Sequence, residues 1–391
     1  MHRAVSFLLQ PTVRQIESLS RLLEVQRELY NAALDERRGV WTREGRRVTR
    51  FEQFGQLAAL RECRPDVLEF GVCPARGSLT RLDRAFAAFF RRAGIGGKAG
   101  YPRFKGRDRF DSVEYPDRSC WALHEQTGRV YLQGVGHVRY RRYRLIPGEP
   151  KTLTLRREGR RFRVTVFCEV DRPNPKDKTG ARVGVDLGVA CLFARSDGEL
   201  VENPRWFAGS ERRLTKAQRE LARKQRGSAG RRLAAARVAA IHRKVARQRR
   251  DLHHQLSRRL VDAFDVICVE DLNIAGMRRS ARGTRGAPGV KVAAKRGLNR
   301  SIQDAGWAQL LRFISYKAEE AGRDMIAVNP RLTSQTCAAC GHVEGANRVI
   351  QAEFRCRRCA HQAHADVNAA CNILRAGLAL RAIREADLRA S

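Results

Sequence analysis

Near its C-terminus the chain reads CAACGHVEGANRVIQAEFRCRRC, a C-x2-C-x15-C-x2-C spacing built from Cys337, Cys340, Cys356 and Cys359. Each C-x2-C pair bends into a knuckle with two sulfurs on one side of a tight turn. Two knuckles together complete a tetrahedral thiolate site, the coordination that Zn²⁺ favours. Paired disulfides would use the same four residues, but fit poorly with a cytosolic chain that keeps its thiols reduced. His342, His361 and His364 lie nearby, yet four thiolates already fill the site, so these histidines are read as non-ligands. A filled site implies one structural zinc, and Arg348, Arg355, Arg357 and Arg358 suggest that the ribbon touches nucleic acid. The other seven cysteines are scattered, several in apolar runs, as expected of reduced thiols used as small hydrophobes.

Charge narrows the partners. The 391 residues carry 77 Lys+Arg against 41 Asp+Glu, a formal net charge of +36. Such an excess repels itself in a compact state and calls for a polyanion. Arginine outnumbers lysine, which suits bidentate phosphate contacts. Hydrophobic residues make up 43% of the chain, enough for real cores and two or three domains. No window approaches the roughly 20 apolar residues of a membrane span, and MHRAVSFLLQPTVRQ lacks the length and cleavage site of a signal peptide. A cytoplasmic protein with no membrane partner is expected.

Periodicity gives a first strand, AVSFLLQ, then a helix from about Pro11 to Arg38 with leucines at spacings of three to seven. LTRLDRAFAAFFRRAG predicts a second helix with Leu79, Leu82, Phe86, Phe89 and Phe90 on one face, most of the aromatics in a core. A basic, aromatic-interleaved loop, GIGGKAGYPRFKGRDRF, follows. Residues 112–170 change to strands, ending in a hairpin that turns at EGR with one basic and one buried face. DRPNPKDKTGA, residues 171–181, is the main expected domain boundary. RVGVDLGVACLFARSDGELV predicts successive strands with a tight turn at Asp197-Gly198. Residues 211–250 carry 15 Lys/Arg against two Glu and predict a helical pair with a phosphate-facing surface, its seam including Leu233, Ala240, Ile241 and Val245. The Gly/Arg/Ala-rich stretch 276–297 predicts a mobile loop. Ser301 and Asp304 predict a helix start, with Gly322 as its end. DMIAVNP predicts another buried strand, and a last helix begins near ADVNAACNIL.

Three acids stand apart. DVICVEDL is a short, β-branched, continuous apolar run ending in Glu270 and Asp271. An acid at the end of a buried strand is costly to ionise unless a cation or donor offsets it. One account is that Glu270 or Asp271 caps the next element, LNIAG, or pairs with an arginine. The other joins Glu270 to Asp186, in the strand VGVDLGV, and Asp366, at the start of a helix in HADVNAACNIL. In a ribonuclease-H-like fold the first and fourth strands are neighbours and a later helix N-terminus abuts them. Three carboxylates could then converge on two Mg²⁺ ions about 4 Å apart. Asp271 would point to the other side of the strand.

The order GVDLGV, VEDLN, TSQTCAACG, FRCRRC and HADVNAACNIL resembles the TnpB family, the insertion-sequence OrfB-type RNA-guided nucleases related to type V CRISPR effectors. YNAALDER, LDRAFAAFFRR, GYPRFKGRDRFDS and SIQDAGWAQLLRFISYKAEEAG extend the likeness over most of the chain. The resemblance implies an α/β multidomain protein with a RuvC-like nuclease, a zinc ribbon, and an N-terminal β-barrel wedge interrupted by a helical recognition insert. The segments would be 1–10 and 105–178 for the wedge, 11–104 for the insert, 179–330 and 361–391 for the nuclease, and 331–360 for the ribbon. It assigns Asp186, Glu270 and Asp366 as catalytic Mg²⁺ ligands and the four cysteines as Zn²⁺ ligands. It implies a guide RNA and a target DNA as partners, with one copy of the chain on one RNA and a dimer as the alternative. The protein would read a short motif beside the target while base pairing reads the rest. Arg103, Lys105 and Arg109 are candidates for backbone or motif contact. Competing functions are an RNA-guided repressor that binds without cutting, and a strand-joining transposase that needs no RNA.

Overall fold

Val5, Phe7 and Leu9 alternate with exposed or half-buried neighbours, and this period of two makes β1 (His2–Gln10) a strand with one face in a core. The computed structural model describes residues 1–97, 99–107, 109–171 and 175–390, with side chains to 387. Positions 98 and 108 of the basic loop and 172–174 of the expected boundary segment lie outside the described residues.

The chain divides into two compact units, Met1–Arg172 and Pro173–Ser391. In the first, three helices follow β1: α1 (Val13–Glu44), α2 (Arg50–Cys63) and α3 (Val72–Gly94). Thr12 with Gln15, and Thr49 with Glu52, form reciprocal caps that satisfy the first backbone N–H groups of α1 and α2. The chain then returns as β2 (Ser112–Tyr115), β3 (Trp121–His124), β4 (Arg129–Leu132), β5 (Gly136–Tyr140), β6 (Glu149–Glu158) and β7 (Arg161–Glu169). These strands and β1 form one antiparallel sheet in the order β2-β6-β7-β1-β5-β4-β3. The β6–β7 hairpin turns at Gly159, with Phe162, Val164 and Val166 buried between more exposed Arg161 and Arg163. The helix face expected to carry core aromatics does so only in part. Leu79 and Leu82 are buried, whereas Phe90 is 46% exposed and Phe86 and Phe89 are half-buried.

The second unit is built on a five-stranded sheet. Its strands are β8 (Arg182–Leu187), β9 (Cys191–Arg195), β10 (Leu200–Glu202), β11 (Val266–Glu270) and β12 (Asp324–Val328), in the order β10-β9-β8-β11-β12. The first three run antiparallel; β8, β11 and β12 run parallel. Between β10 and β11 lie α4 (Trp206–Ala222) and α5 (Ala229–Ala263). The seam of α5 is Ala234, Val245, Leu256, Leu260 and Val261; Leu233 is 54% exposed, one position off it.

Residues 276–297 are not one structureless loop. They begin in α6 (Ile274–Met277), close a turn through the Gly283–Pro288 bridge, and enter α7 (Val292–Ala305). Ser301 therefore sits inside α7 and starts no helix. Gly306, in the left-handed region at φ 68°, separates α7 from α8 (Trp307–Ala321), which ends at left-handed Gly322. Asp304 caps a different helix: its carboxylate accepts from the N–H groups of Phe207 and Ala208 in the first turn of α4, at 2.9 and 3.1 Å. After the hairpin of β13 (Glu353–Arg355) and β14 (Gln362–His364), α9 (Ala365–Ala390) returns to the sheet.

β11 is buried along its whole length because both faces are covered. Ile267 and Val269 face the core that holds α5 and α8, while Val266 and Cys268 pack with Ile373 of α9. The approach of α9 depends on missing side chains. A Cβ on Gly184 would stand 2.0 Å from the carbonyl oxygen of Ala370, and one on Gly377 would stand 2.2 Å from Cys268 Sγ. Gly184→Ala is expected to cost about 3 kcal/mol or more in denaturant unfolding of this unit. Gly55→Ala, exposed inside α2 with nothing within 4 Å of the new methyl, should be neutral or stabilising.

Candidate active site

Val185 pairs with Val269, so Asp186 and Glu270 are the next residues on adjacent parallel strands and share one face of the sheet. That face is the one α9 covers, and Asp366 lies in the first turn of α9. The carboxyl ends of parallel strands are where open α/β sheets leave a crevice. Glu270 is 9% and Asp366 7% exposed; Asp186 is half-buried. Asp271 is exposed, and its N–H donates to the Val328 carbonyl.

Burial pushes the Asp186 carboxyl up to about 8, and the charges of Glu270 and Asp366 push in the same direction while Arg348 opposes. Glu270 also rises, through burial, although Thr333 Oγ1 donates to its Oε1 at 2.8 Å. Asp366 has a fuller set of partners. Arg348 Nη2 lies 3.1 Å from Oδ1, Cys191 Sγ 3.5 Å from Oδ2, and its own N–H donates to His364 Nδ1 at 3.3 Å. Burial and the Asp366 charge raise the Cys191 thiol to about 11, so it acts as a neutral donor. The other acid of the run behaves oppositely. Asp265 accepts from the N–H groups of Thr179 and Gly180 and pairs with Arg323, and these partners, the Thr179 N–H foremost, lower its pKa.

The cysteines gather. Cys337, Cys340, Cys356 and Cys359 have all their sulfurs within 4.8 Å of one another, with Cys337–Cys359 at 3.7 Å and Cys340–Cys356 at 3.6 Å. Tetrahedral Zn–S bonds of about 2.3 Å require sulfur–sulfur edges of about 3.8 Å, so the quartet fits zinc. The two knuckles match in backbone: Gly341 follows the first pair at φ 76° and Ala360 the second at φ 59°. Among the described residues this is the only group of three or more His, Cys, Asp or Glu with ligand atoms so close.

The ribbon and the acids are physically joined. Asn368 and Asn372, one turn apart on α9, both donate to the Thr336 carbonyl, at 2.8 and 2.7 Å, and Asn372 also to that of Thr333 at 3.0 Å. Thr333, Asn368 and Asn372 carried no signal beyond their place beside the recognised motifs. Arg348, expected to face nucleic acid, instead holds Asp366.

Of the three residues expected to touch nucleic acid, Arg103 and Arg109 are exposed. The Lys105 backbone is tied to Asn31 of α1 by bonds of 2.8 and 3.0 Å. In the second unit a cavity of about 930 Å³ is lined by Arg249, Arg282, Arg296, Arg300, His242 and Asn299, a lining suited to phosphate. No helix among the described residues is long and apolar enough to cross a membrane.

The family model described as "Probable transposase" for insertion-sequence OrfB proteins matches residues 165–281, and "Cas12f1-like, TNB domain" matches residues 307–373. A "Helix-turn-helix domain" of the same OrfB group matches residues 1–46, which here form β1 and the long α1. "Putative RNA-guided DNA endonuclease InsQ" of Escherichia coli K12 is 37% identical over 312 residues, 80% of this chain and 76% of that one. A "Putative RNA-guided DNA endonuclease" of Streptomyces pristinaespiralis is 32% identical over 388 residues, 97% of this chain and 90% of that one.

The chain belongs to the TnpB family.

A solved structure of the mini RNA-guided endonuclease CRISPR-Cas phi3 aligns with this TnpB-family chain at TM-score 0.51 and 10% identity, covering 97% of this chain and 92% of that one. At that identity the likeness is one of α/β fold. The TNB match spans the whole cysteine quartet and Asp366.

Two outcomes follow for stability. Between the ordinary carboxyl range and about pH 8, folded Asp186 holds a proton that the unfolded chain has released, so raising pH favours unfolding. In magnesium-free buffer that leaves zinc in place, the thermal midpoint should fall from pH 5 to pH 8. Asp186→Asn should flatten that profile and raise the pH 8 midpoint by a few degrees. Ala360→Gly removes a left-handed alanine and should strengthen the ribbon by about 1 kcal/mol, read as slower zinc loss to a chelator.

Proposed function

We propose that this TnpB-family protein is an RNA-guided DNA endonuclease that cuts target DNA by metal-dependent hydrolysis, with a guide RNA as its resident partner. The observation that carries this reading is the meeting of Asp186, Glu270 and Asp366 at the carboxyl ends of two parallel strands and the start of α9. Burial makes ionisation costly at Asp186 and at Glu270, and a divalent cation of the magnesium kind removes that cost. The sheet order β10-β9-β8-β11-β12 supports a RuvC-like, ribonuclease-H-like reading of residues 179–330 and 361–391. The cysteine quartet supports one structural zinc in 331–360. Helices placed between β1 and β2 support a wedge of residues 1–10 and 105–178 with a recognition insert at 11–104. Relatives whose printed names are RNA-guided DNA endonucleases support the substrate and partner classes.

When bound, the metal ions supply an activated water and charge stabilisation for the departing oxygen. This chain's residues hold the geometry. Strands fix Asp186 and Glu270, Thr333 orients the Glu270 carboxylate, and the dipole of α9 favours a negative group at Asp366. Arg103, Lys105 and Arg109, with the basic cavity of the second unit, provide phosphate contacts.

The test is a cleavage assay with protein purified together with its co-expressed transcript, whose sequence identifies the guide. Magnesium-dependent cutting of matching DNA is expected, and Asp186→Ala should abolish cutting while target binding stays within about twofold. Binding without cutting by the unaltered protein would favour a repressor. Joined strands formed without RNA would favour a transposase.

A further inference from the structure

The first unit holds a second site of different chemistry. Between α1 and α3 lies a cavity of about 550 Å³, lined among others by Arg37, Trp41, Asp83, Phe86, Phe90 and Tyr101. Its aromatic rings form a continuous array. Phe86 stacks on Phe90 with centroids 6.2 Å apart, and Tyr101 stands edge-on to Phe86 and Phe89 at 5.4 and 5.3 Å. Arginines lie over the same rings: Arg37 over Phe86 at 5.3 Å, Arg47 over Phe90 at 5.0 Å, and Arg38 over Tyr101 at 6.0 Å.

Burial argues against a mere satellite core. Trp41 is 53%, Phe90 46% and Tyr101 40% exposed, a costly display of rings unless something flat covers them. Arg37 is the opposite, a guanidinium only 7% exposed. Its Nε donates to Gln53 Oε1 at 2.9 Å and its Nη1 lies 3.3 Å from Asp83 Oδ1. Its Nη2 is buried with no hydrogen-bond partner among the described residues. A buried charged donor left empty points to an acceptor that arrives with a ligand.

We propose that this cavity takes one unpaired guanine of a folded RNA. The flat, sequence-tolerant part of the recognition is stacking on the exposed rings of Phe90 and Trp41. The base-specific part is the Arg37–Asp83 pair, two cavity-lining residues that set guanidinium donors beside a carboxylate acceptor. Guanine offers the matching edge: the O6 acceptor followed by the N1–H and N2–H donors. Adenine and cytosine offer a donor first, and uracil supplies only one N–H. RNA is favoured over DNA because specific RNA recognition takes splayed-out bases from loops and bulges, held between aromatic and arginine planes and bonded along their pairing edges. The inference rests on the proposed function only for the presence of a structured RNA, and makes no use of the acids.

The probe is a short RNA hairpin with a single bulged nucleotide, made as G, A, C and U versions and as an all-deoxy copy. Affinity for the full chain is measured by fluorescence polarisation at about 0.3 M salt, where non-specific phosphate attraction is reduced. The G bulge is expected to bind about tenfold tighter than the unbulged hairpin. Phe90→Leu should remove that advantage; because Phe90 is exposed, an unchanged thermal midpoint will show the fold intact. Asp83→Asn should leave tight binding of bulged hairpins but erase the preference for G over A. A 6-thioguanine bulge should photo-crosslink to peptides carrying Trp41, Phe90 or Tyr101. Affinity indifferent to the bulge and to Phe90→Leu would overturn the site. Equal binding of the deoxy copy, lost equally in the variant, would overturn RNA as the occupant and assign single-stranded DNA. Neither result depends on whether the protein cuts, so failure here and failure of the nuclease reading are separable.

Discussion

Carboxyl groups taken out of water beside one another set the terms for the second unit. Asp186 and Glu270 occupy successive register positions on adjoining parallel strands, and both are shifted toward the protonated form by burial. In a chain with formal charge +36 an arginine at every acid would have been easy to supply. Asp265, five residues before Glu270, shows what that looks like: two backbone donors and Arg323 keep it ionised. Glu270 receives one hydroxyl, and Asp186 is shifted first by burial and then by the charges of its neighbours. The contrast between Asp265, just before β11, and Glu270, at its end, separates an acid that holds the fold together from one held at a cost.

Maintaining that cost requires a rigid frame, and the frame is close backbone packing. Gly184 and Gly377 let α9 approach the sheet to distances no side chain would permit. The same helix carries Asp366 in its first turn, then Asn368 and Asn372 bonded to the segment leading into the first knuckle. Thr333 reaches back from that segment to Glu270, and Arg348 from between the knuckles to Asp366. The ribbon is thus a brace for the acid cluster as well as a metal-binding module, which gives a physical reason for its position between β12 and α9. The first unit divides its labour differently. Its sheet and α1 bury a conventional core, while the outer half of α3 and Arg37 of α1, with one guanidinium nitrogen unpaired, line a cavity.

Much of this was legible in the residues. Continuous apolar runs gave β8 and β11, alternation gave the β6–β7 hairpin, and the cysteine spacing announced a closed four-sulfur site. Where local pattern misled, a partner distant in sequence had intervened. Ser301 and Asp304 have the look of a helix start, yet α7 begins at Val292 and the Asp304 carboxylate serves α4, nearly a hundred residues earlier. Phe90 lies on an apolar stripe, yet it is 46% exposed at the outer end of α3. Arg348 belongs to a basic cluster, yet it turns inward to an acid.

The sequence by itself determined which chemistries this protein contains: a thiolate quartet, three isolated acids in strand and helix-start contexts, and a positive charge that demands a polyanion. Those follow from residue type and short spacing, because knuckles and strands are local. Only the tertiary structure decided which groups share an environment. Desolvation, mutual repulsion and an unfilled hydrogen bond arise between residues far apart in the chain, so Asp186 against Asp366, and Arg37 against Asp83, acquire their properties only when the helices and sheets pack.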